Sequence, residues 1–219
     1  MTIRSRVKSR KIALFVEGDS ERGDARRSTL PGFFHRWLDP QLPPQHLVGI
    51  TAEKFHGVSN YLDDLAQKIE IFLSERGANF IIGIVDLYGL PPNRIDLSKC
   101  NNVQEKIAQA KARITDLVPV KFRTRFHQHF AVHEVEAWLL ADPDVWPPAV
   151  RDQILKRHPE QVNFNEPPAA FLNRILGGYK KTVSAKNLFP RIDPKVAIEK
   201  CPNLKLLAHD ILAIAKALQ

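Results

Sequence analysis

The chain has 219 residues, of which 44% are hydrophobic and 26% are charged, and its formal net charge at pH 7 is +8. This composition is that of an ordinary globular protein, and no apolar run approaches the roughly 20 residues that cross a bilayer. The length fits one α/β domain with an appendage, or two small domains. The excess of lysine and arginine favours an anionic partner, most simply nucleic acid.

A buried strand is predicted over residues 12–16, where five apolar residues follow one another and two of them are β-branched. The run ends at the sequence Glu-Gly-Asp-Ser-Glu, residues 17–21. Because ligands of open α/β sheets bind at the carboxyl ends of the strands, Glu17 and Glu21 are candidate metal ligands. The alternative is a solvated turn before a helix, where acids also suit the helix dipole.

The spacing of apolar residues, together with prolines, glycines and capping residues, predicts the elements that follow. In chain order they are a helix beginning near Pro31, a strand region over 46–55, an amphipathic helix capped by Ser59 and closed by Gly77, a strand over 80–86, a helix over 102–117, a strand over 126–132 and helices from residue 146 onward. We therefore expect a mainly parallel α/β sheet flanked by helices. The predicted organisation is a basic arm over 1–11, an α/β domain over 12–143 and a helical C-terminal extension over 144–219.

The strand over 80–86 is a second buried run that ends on an acid, Asp86. A strand–helix–strand unit is a right-handed crossover, which brings strand ends of the same sense to one edge of the sheet. Asp86 is therefore expected to meet Glu17 in space, and this convergence is hard to explain by turn chemistry alone.

The strand over 126–132 alternates, with His127 and His129 on one face, and it leads into the motif His-Glu-Val-Glu-Ala-Trp-Leu-Leu at residues 133–140. Glu134 and Glu136 would lie about 200° apart on a helix, so only one is expected to reach a site at the strand end, and Glu134 is favoured. The three histidines imitate a zinc set, but no His-Glu-x-x-His spacing is present and ordinary polar-face histidines are the favoured interpretation.

Basic residues form clusters that predict a groove for a phosphate polymer around the acids, with solvated surface charge as the alternative. The clusters include Arg123 with Arg125, and Lys180 with Lys181, of which the lysine pair could also neutralise a transition-state phosphate. The two cysteines are far apart and lack metal-ligand spacing, which predicts reduced thiols in a cytoplasmic protein.

Three motifs together resemble a known pattern. Val-Glu-Gly-Asp-Ser-Glu at residues 16–21 resembles the V-E-G-x-[ST]-E signature of Toprim-type metal-dependent nucleases, and Asp86 and Tyr88 stand where Toprim domains carry Asp-x-Asp. The motif at 133–140 is similar to the H-E-F-E-A-L-L segment of an uncharacterised Toprim-like family, domain of unknown function 4276. That family also tends to carry a late Cys-Pro pair, here at 201–202.

The resemblance implies a Toprim-like (Rossmann-like) fold that holds Mg²⁺ or Mn²⁺ through acidic residues. The implied metal and catalytic residues are Glu17, Glu21, Asp86 and Glu134, with Glu136 as a further metal ligand. The family looks related to the overcoming-lysogenisation-defect nucleases, which implies a separate ATPase partner in an anti-phage or mobile-element setting. Tyr88 in place of the second Asp departs from the pattern and predicts an incomplete two-metal site.

A metal-dependent nuclease is thus the leading hypothesis, and a non-catalytic Toprim scaffold that binds an ATPase and nucleic acid is the alternative. Nucleotidyl transfer is a weaker third hypothesis, since it would require triphosphate binding. The sequence has no G-x-x-x-x-G-K-[ST] phosphate loop of its own.

Overall fold

Four strands form one parallel sheet in the computed structural model, which describes residues 10–18, 30–154, 159–161, 166–178 and 187–219. The strands are β1 (Lys11–Val16), β2 (Gly49–Lys54), β3 (Phe80–Asp86) and β4 (Phe126–Ala131). Their order is β2-β1-β3-β4, and each neighbouring pair is parallel. The carboxyl ends of all four strands therefore lie at one edge of the sheet, which we call the carboxyl edge, and their amino ends lie at the opposite, amino edge.

Helices connect and cover these strands. The α-helices are α1 (Leu30–Leu38), α2 (Val58–Ser74), α3 (Val103–Asp116), α4 (Glu136–Leu139), α5 (Pro148–Ile154), α6 (Pro168–Leu176), α7 (Pro194–Lys200) and α8 (Pro202–Ala217). Short 3₁₀ segments are Asp39–Gln41, Pro44–His46, Leu87–Gly89, Val120–Arg125, Pro143–Val145, Pro159–Gln161 and Phe189–Arg191. The predicted α/β, Rossmann-like class with helices at the C-terminus is confirmed.

The two faces of the sheet are buried against different helices, because successive side chains of a strand point to opposite faces. Ile12, Leu14 and Val16 of β1 pack in one cluster with residues of α1, α4, α7 and α8. Ala13 and Phe15 pack in the other cluster with α2 and α3. A strand buried on both faces reads as an unbroken apolar run, which is why β1 and β3 were predictable from sequence.

The C-terminal helices supply one of the two layers that cover the sheet. Leu204, Leu207 and Ile211 of α8 are fully buried, or nearly so, in the same cluster as Ile12 and Leu14. The predicted division at residues 143 and 144 stays a prediction, and this hydrophobic cluster extends across it.

The start of α2 differs from the sequence-based expectation. Ser59 was predicted to cap this helix, but Gly57 holds the N-cap position with φ 89°, and its carbonyl accepts a hydrogen bond from Tyr61 N at 3.1 Å. Glycine adopts a positive φ at little cost, so the turn from β2 into the helix occurs two residues earlier. Gly77 has φ 70° just after the helix, as expected for a closing glycine.

Within the described part of the chain, none of the helices is long and apolar enough to cross a membrane.

Candidate functional site

Glu17 and Asp86 meet at the carboxyl edge. Glu17 directly follows β1, and Asp86 is the last residue of the neighbouring strand β3. Glu17 Oε2 lies 3.5 Å from the backbone nitrogen of Asp86, and both residues are half-buried. The parallel crossover thus brings together two acids that are 69 positions apart in the chain.

Gly89 leaves a small space beside these two acids. A Cβ atom at this position would lie 3.5 Å from Asp86 Cβ and 3.7 Å from Glu17 Oε2, which are ordinary contact distances. A hydrogen therefore leaves open a cradle that a larger side chain would fill.

A pocket of about 250 Å³ opens beside this pair. It is lined by Asp86, Tyr88, Gly89, His133, Glu134 and Pro167. Glu134 follows the end of β4, so a third strand also delivers an acid to the carboxyl edge. Glu134 has a structural contact as well, because its Oε2 accepts a hydrogen bond at 2.8 Å from Ala169 N at the start of α6.

Glu136 is placed differently from Glu134. It is the first residue of α4, it is 3% exposed, and it is not among the residues that line this pocket. Glu134 thus lies before α4 and lines the pocket, whereas Glu136 lies in α4 and does not; which of the two acids serves the site stays a prediction.

Two aromatic rings form a wall of the pocket. The rings of Tyr88 and His133 stack with centroids 5.4 Å apart and an interplanar angle of 28°, and Lys106 Nζ lies 5.2 Å from the Tyr88 ring centroid. Burial raises the pKa of Tyr88. Burial lowers the pKa of His133, an effect that outweighs the opposite influence of Glu134, so its neutral imidazole is favoured near pH 7.

The pair of acids fits one divalent cation. Mg²⁺ prefers carboxylate oxygens, takes one or two of them from a protein and keeps several waters, and Glu17 and Asp86 supply two carboxylate side chains at the carboxyl edge. Among the residues that the structure describes, no group of three or more His, Cys, Asp or Glu side chains is arranged to hold a metal ion. The predicted ligand Glu21 and the predicted phosphate-binding residues Lys180 and Lys181 lie outside the described residues.

Arg123 and Arg125 do not lie beside the acids, so the expectation that they flank an acidic centre is wrong. Arg125 precedes β4 and donates to the carbonyl oxygens of Asn79 and Ala78, both at 2.7 Å, while Arg123 donates to the Val118 carbonyl at 3.1 Å. These contacts are at the amino edge, about 20 Å from the acids at 3.3 Å per residue over a six-residue strand. Nucleic-acid binding by either arginine stays a prediction.

The three histidines do not form one set, because β4 ends at Ala131 and His133 lies beyond it beside Tyr88. His127 Nδ1 and His129 Nε2 instead contact Asp210 Oδ2 of α8, at 2.8 and 2.7 Å. Burial would raise the pKa of Asp210, but the hydrogen bonds from the two histidines outweigh it and hold that pKa well below its usual value.

Sequence reasoning missed two lysines near the carboxyl edge. Lys54 is the last residue of β2 and is paired in register with Val16, and Lys106 lies in the first turn of α3. Their positions in the chain could have revealed them, because a residue that ends a parallel strand, or starts the helix after one, lies near that edge.

Fold and site together define an α/β protein with an acidic pocket at the carboxyl edge of a parallel sheet. The chain belongs to the family described as Domain of unknown function (DUF4276), whose profile matches residues 16–211. No curated protein and no solved structure matches the chain.

Proposed function

We propose that this protein is a Mg²⁺- or Mn²⁺-dependent nuclease that hydrolyses phosphodiester bonds of DNA or RNA. The observation that carries the proposal is the meeting of Glu17 and Asp86 at the carboxyl edge, beside the cradle at Gly89. The motif resemblance to Toprim-type nucleases and the net charge of +8 support the same chemistry.

Glu17 and Asp86 would hold the cation, and Glu134, which lines the pocket together with Asp86, would orient a water. A bound divalent ion supplies Lewis-acid polarisation of the phosphate and makes a coordinated water a better nucleophile. In hydrolysis the water oxygen forms a new bond to phosphorus, the bond from phosphorus to one ester oxygen breaks, and the departing alkoxide gains the proton. Glu21 remains a predicted further ligand or base.

The proposal includes a cytoplasmic setting and a partner, in line with the resemblance. The partner is a separate ATPase chain, and the setting is defence against phage or mobile elements. Both are extensions of the motif similarity and are tested separately from catalysis.

A non-catalytic scaffold is the second candidate, and one contact favours it. Glu134 Oε2 is engaged by Ala169 N, as expected of an acid that caps a helix. A scaffold would bind its ATPase partner equally well with and without Glu17 and Asp86, and it would bind Mn²⁺ weakly or not at all.

The test is cleavage of plasmid DNA, single-stranded DNA and RNA by the full chain with Mg²⁺, Mn²⁺ or EDTA. Glu17→Gln and Asp86→Asn are expected to lower the rate by about 100-fold or more, as for loss of a catalytic electrostatic group. Glu70→Gln is a matched control, because Glu70 is an exposed acid of α2 that pairs with Lys121. Metal-dependent cleavage that survives in both site variants, with folding verified by circular dichroism, would contradict the proposal.

A further inference from the structure

Tyr88 stands where the Asp-x-Asp pattern has its second aspartate, and its ring contacts His133 and Lys106. The Tyr88 ring stacks on His133, and the ammonium group of Lys106 lies 5.2 Å from its centroid. A cation within about 6 Å of an aromatic ring is attracted to the ring face. The position that would carry a second acid therefore holds an aromatic ring with a cation beside it.

Lys106 is well placed to serve the pocket. Its backbone nitrogen donates to Asn102 O, the N-cap residue, so it lies in the first turn of α3. Within the described ranges, no carboxylate forms an ion pair with Lys106 Nζ, in contrast to Lys68 with Glu53 and Lys121 with Glu70. Tyr88, which this ammonium contacts, also lines the pocket with Asp86 and Glu134.

We infer that Lys106 binds the phosphate of the nucleic acid at this pocket and supplies the positive charge that a second metal ion would supply in a two-metal site. The inference rests on the proposed function and specifies how the same site binds its substrate. Two-metal sites use the second ion to stabilise charge on the transferring phosphate. A lysine ammonium is a compact point charge on a flexible stem, so it can reach a phosphate while its base stays on α3.

The site then has one cation held by carboxylates and one ammonium held over an aromatic ring. Tyr88 is neutral and Lys106 is positive, so the pocket favours a phosphate more than a site with a second acid would. Tyr88 acts as a positioning residue, because its ring holds the ammonium group beside the pocket.

Binding is tested first, with full chain and a fluorescein-labelled single-stranded oligonucleotide in Ca²⁺. Lys106→Gln is expected to weaken binding by about 5- to 10-fold and to lower the salt-dependence slope by about 0.7, as for loss of one phosphate contact. Lys111→Gln is the matched control, because it removes the same charge from α3 about 7.5 Å further along the helix axis, beside the pocket that contains Asp210. Equal effects of the two substitutions would overturn the inference.

Tyr88 variants and metal counting complete the test. Tyr88→Phe keeps the ring and is expected to bind like the wild type, whereas Tyr88→Leu is expected to weaken binding in the same direction as Lys106→Gln. Isothermal titration with Mn²⁺ is expected to give one ion per chain, and two ions per chain would overturn the inference.

Cleavage kinetics separate the two proposals. Lys106→Gln is expected to lower kcat by about 10- to 100-fold, as for loss of one group that stabilises transition-state charge. If Glu17→Gln and Asp86→Asn abolish cleavage but Lys106→Gln changes neither kcat nor binding, the nuclease proposal stands and the role of Lys106 is wrong. If the wild type cleaves no substrate but the contrast between Lys106 and Lys111 in binding remains, phosphate binding by Lys106 stands and the nuclease proposal is wrong.

Discussion

The two edges of the sheet use charge in opposite ways. At the amino edge, cations donate to main-chain carbonyls: Arg125 bonds to Ala78 and Asn79, and Arg10 bonds to Gln45 O at 2.8 Å. At the carboxyl edge, Glu17 approaches the backbone nitrogen of Asp86, and Asp86 and Glu134 line a pocket. Arg125, in the basic cluster before β4, is thus bonded to main-chain carbonyls, whereas the acids that follow the strands form the candidate site.

The largest effect is expected when the space at Gly89 is filled. Gly89→Val would add two methyl groups beside Glu17 Oε2 and Asp86 Cβ, and we expect Mn²⁺ affinity and cleavage to fall by about 100-fold, in line with loss of a catalytic group. Gly89→Ala is the control, since its Cβ would make only ordinary contacts. Calorimetry with Mn²⁺ and a cleavage assay measure both variants. A fully active Gly89→Val protein would show that the cradle is not the site.

The amino edge is tested with Arg125→Met. This change leaves two backbone carbonyls without a charged donor, and we expect the free energy of unfolding in urea to fall by about 2 kcal/mol. Nucleic-acid affinity should change no more than in Arg113→Met, which removes one charge from an exposed position of α3. A selective loss of binding in Arg125→Met, with stability unchanged, would move the phosphate groove to the amino edge.

Asp210 is an acid whose partners are the two histidines His127 and His129, and it can be compared with the acids of the pocket. Its folded-state pKa is lowered, so its contribution to stability is present above the unfolded pKa of about 3.9 and is lost as pH falls below that value. Asp210→Asn is expected to cost about 1–2 kcal/mol at pH 7 and less below pH 4, since the carboxyl group of the unfolded chain is then protonated while that of the folded chain is still ionised. Unfolding in urea at several pH values measures this. A cost that stays constant down to pH 3 would be evidence against the charged contact with His127 and His129.

The smallest effect is expected at Glu134, where the hydrogen bond to Ala169 N can be separated from a role in the pocket. Glu134→Ala removes the acceptor for Ala169 N and is expected to cost about 1 kcal/mol of stability, whereas Glu134→Gln keeps an oxygen that can accept and should cost less. If Glu134 also orients water or metal, both variants lose cleavage activity. Loss of stability without loss of cleavage would assign Glu134 to the fold alone.

Two strands of the sheet, β1 and β3, were predictable because they are short, buried on both faces and bounded by polar residues. β1 and β3 read as apolar runs, and the crossover between them predicted that Glu17 and Asp86 would meet. The partners of the histidines were not predictable, since Asp210 is 83 positions from His127 and lies on a helix whose pattern reports only its apolar side. The contact between Lys106 and Tyr88 was missed for a similar reason.

Sequence patterns alone predict which segments become strands, which acids follow them and, because strand–helix–strand connections make the strands parallel, that two of those acids lie at the same edge. Which charged side chains the fold uses depends on tertiary packing. Arg125 and Asp210 bind backbone or histidine partners that are distant in sequence, because such contacts depend on how helices and loops pack against the sheet. The local sequence pattern carries no information about how helices and loops pack. The alternation of side chains along a strand, in contrast, depends only on the residues of that strand.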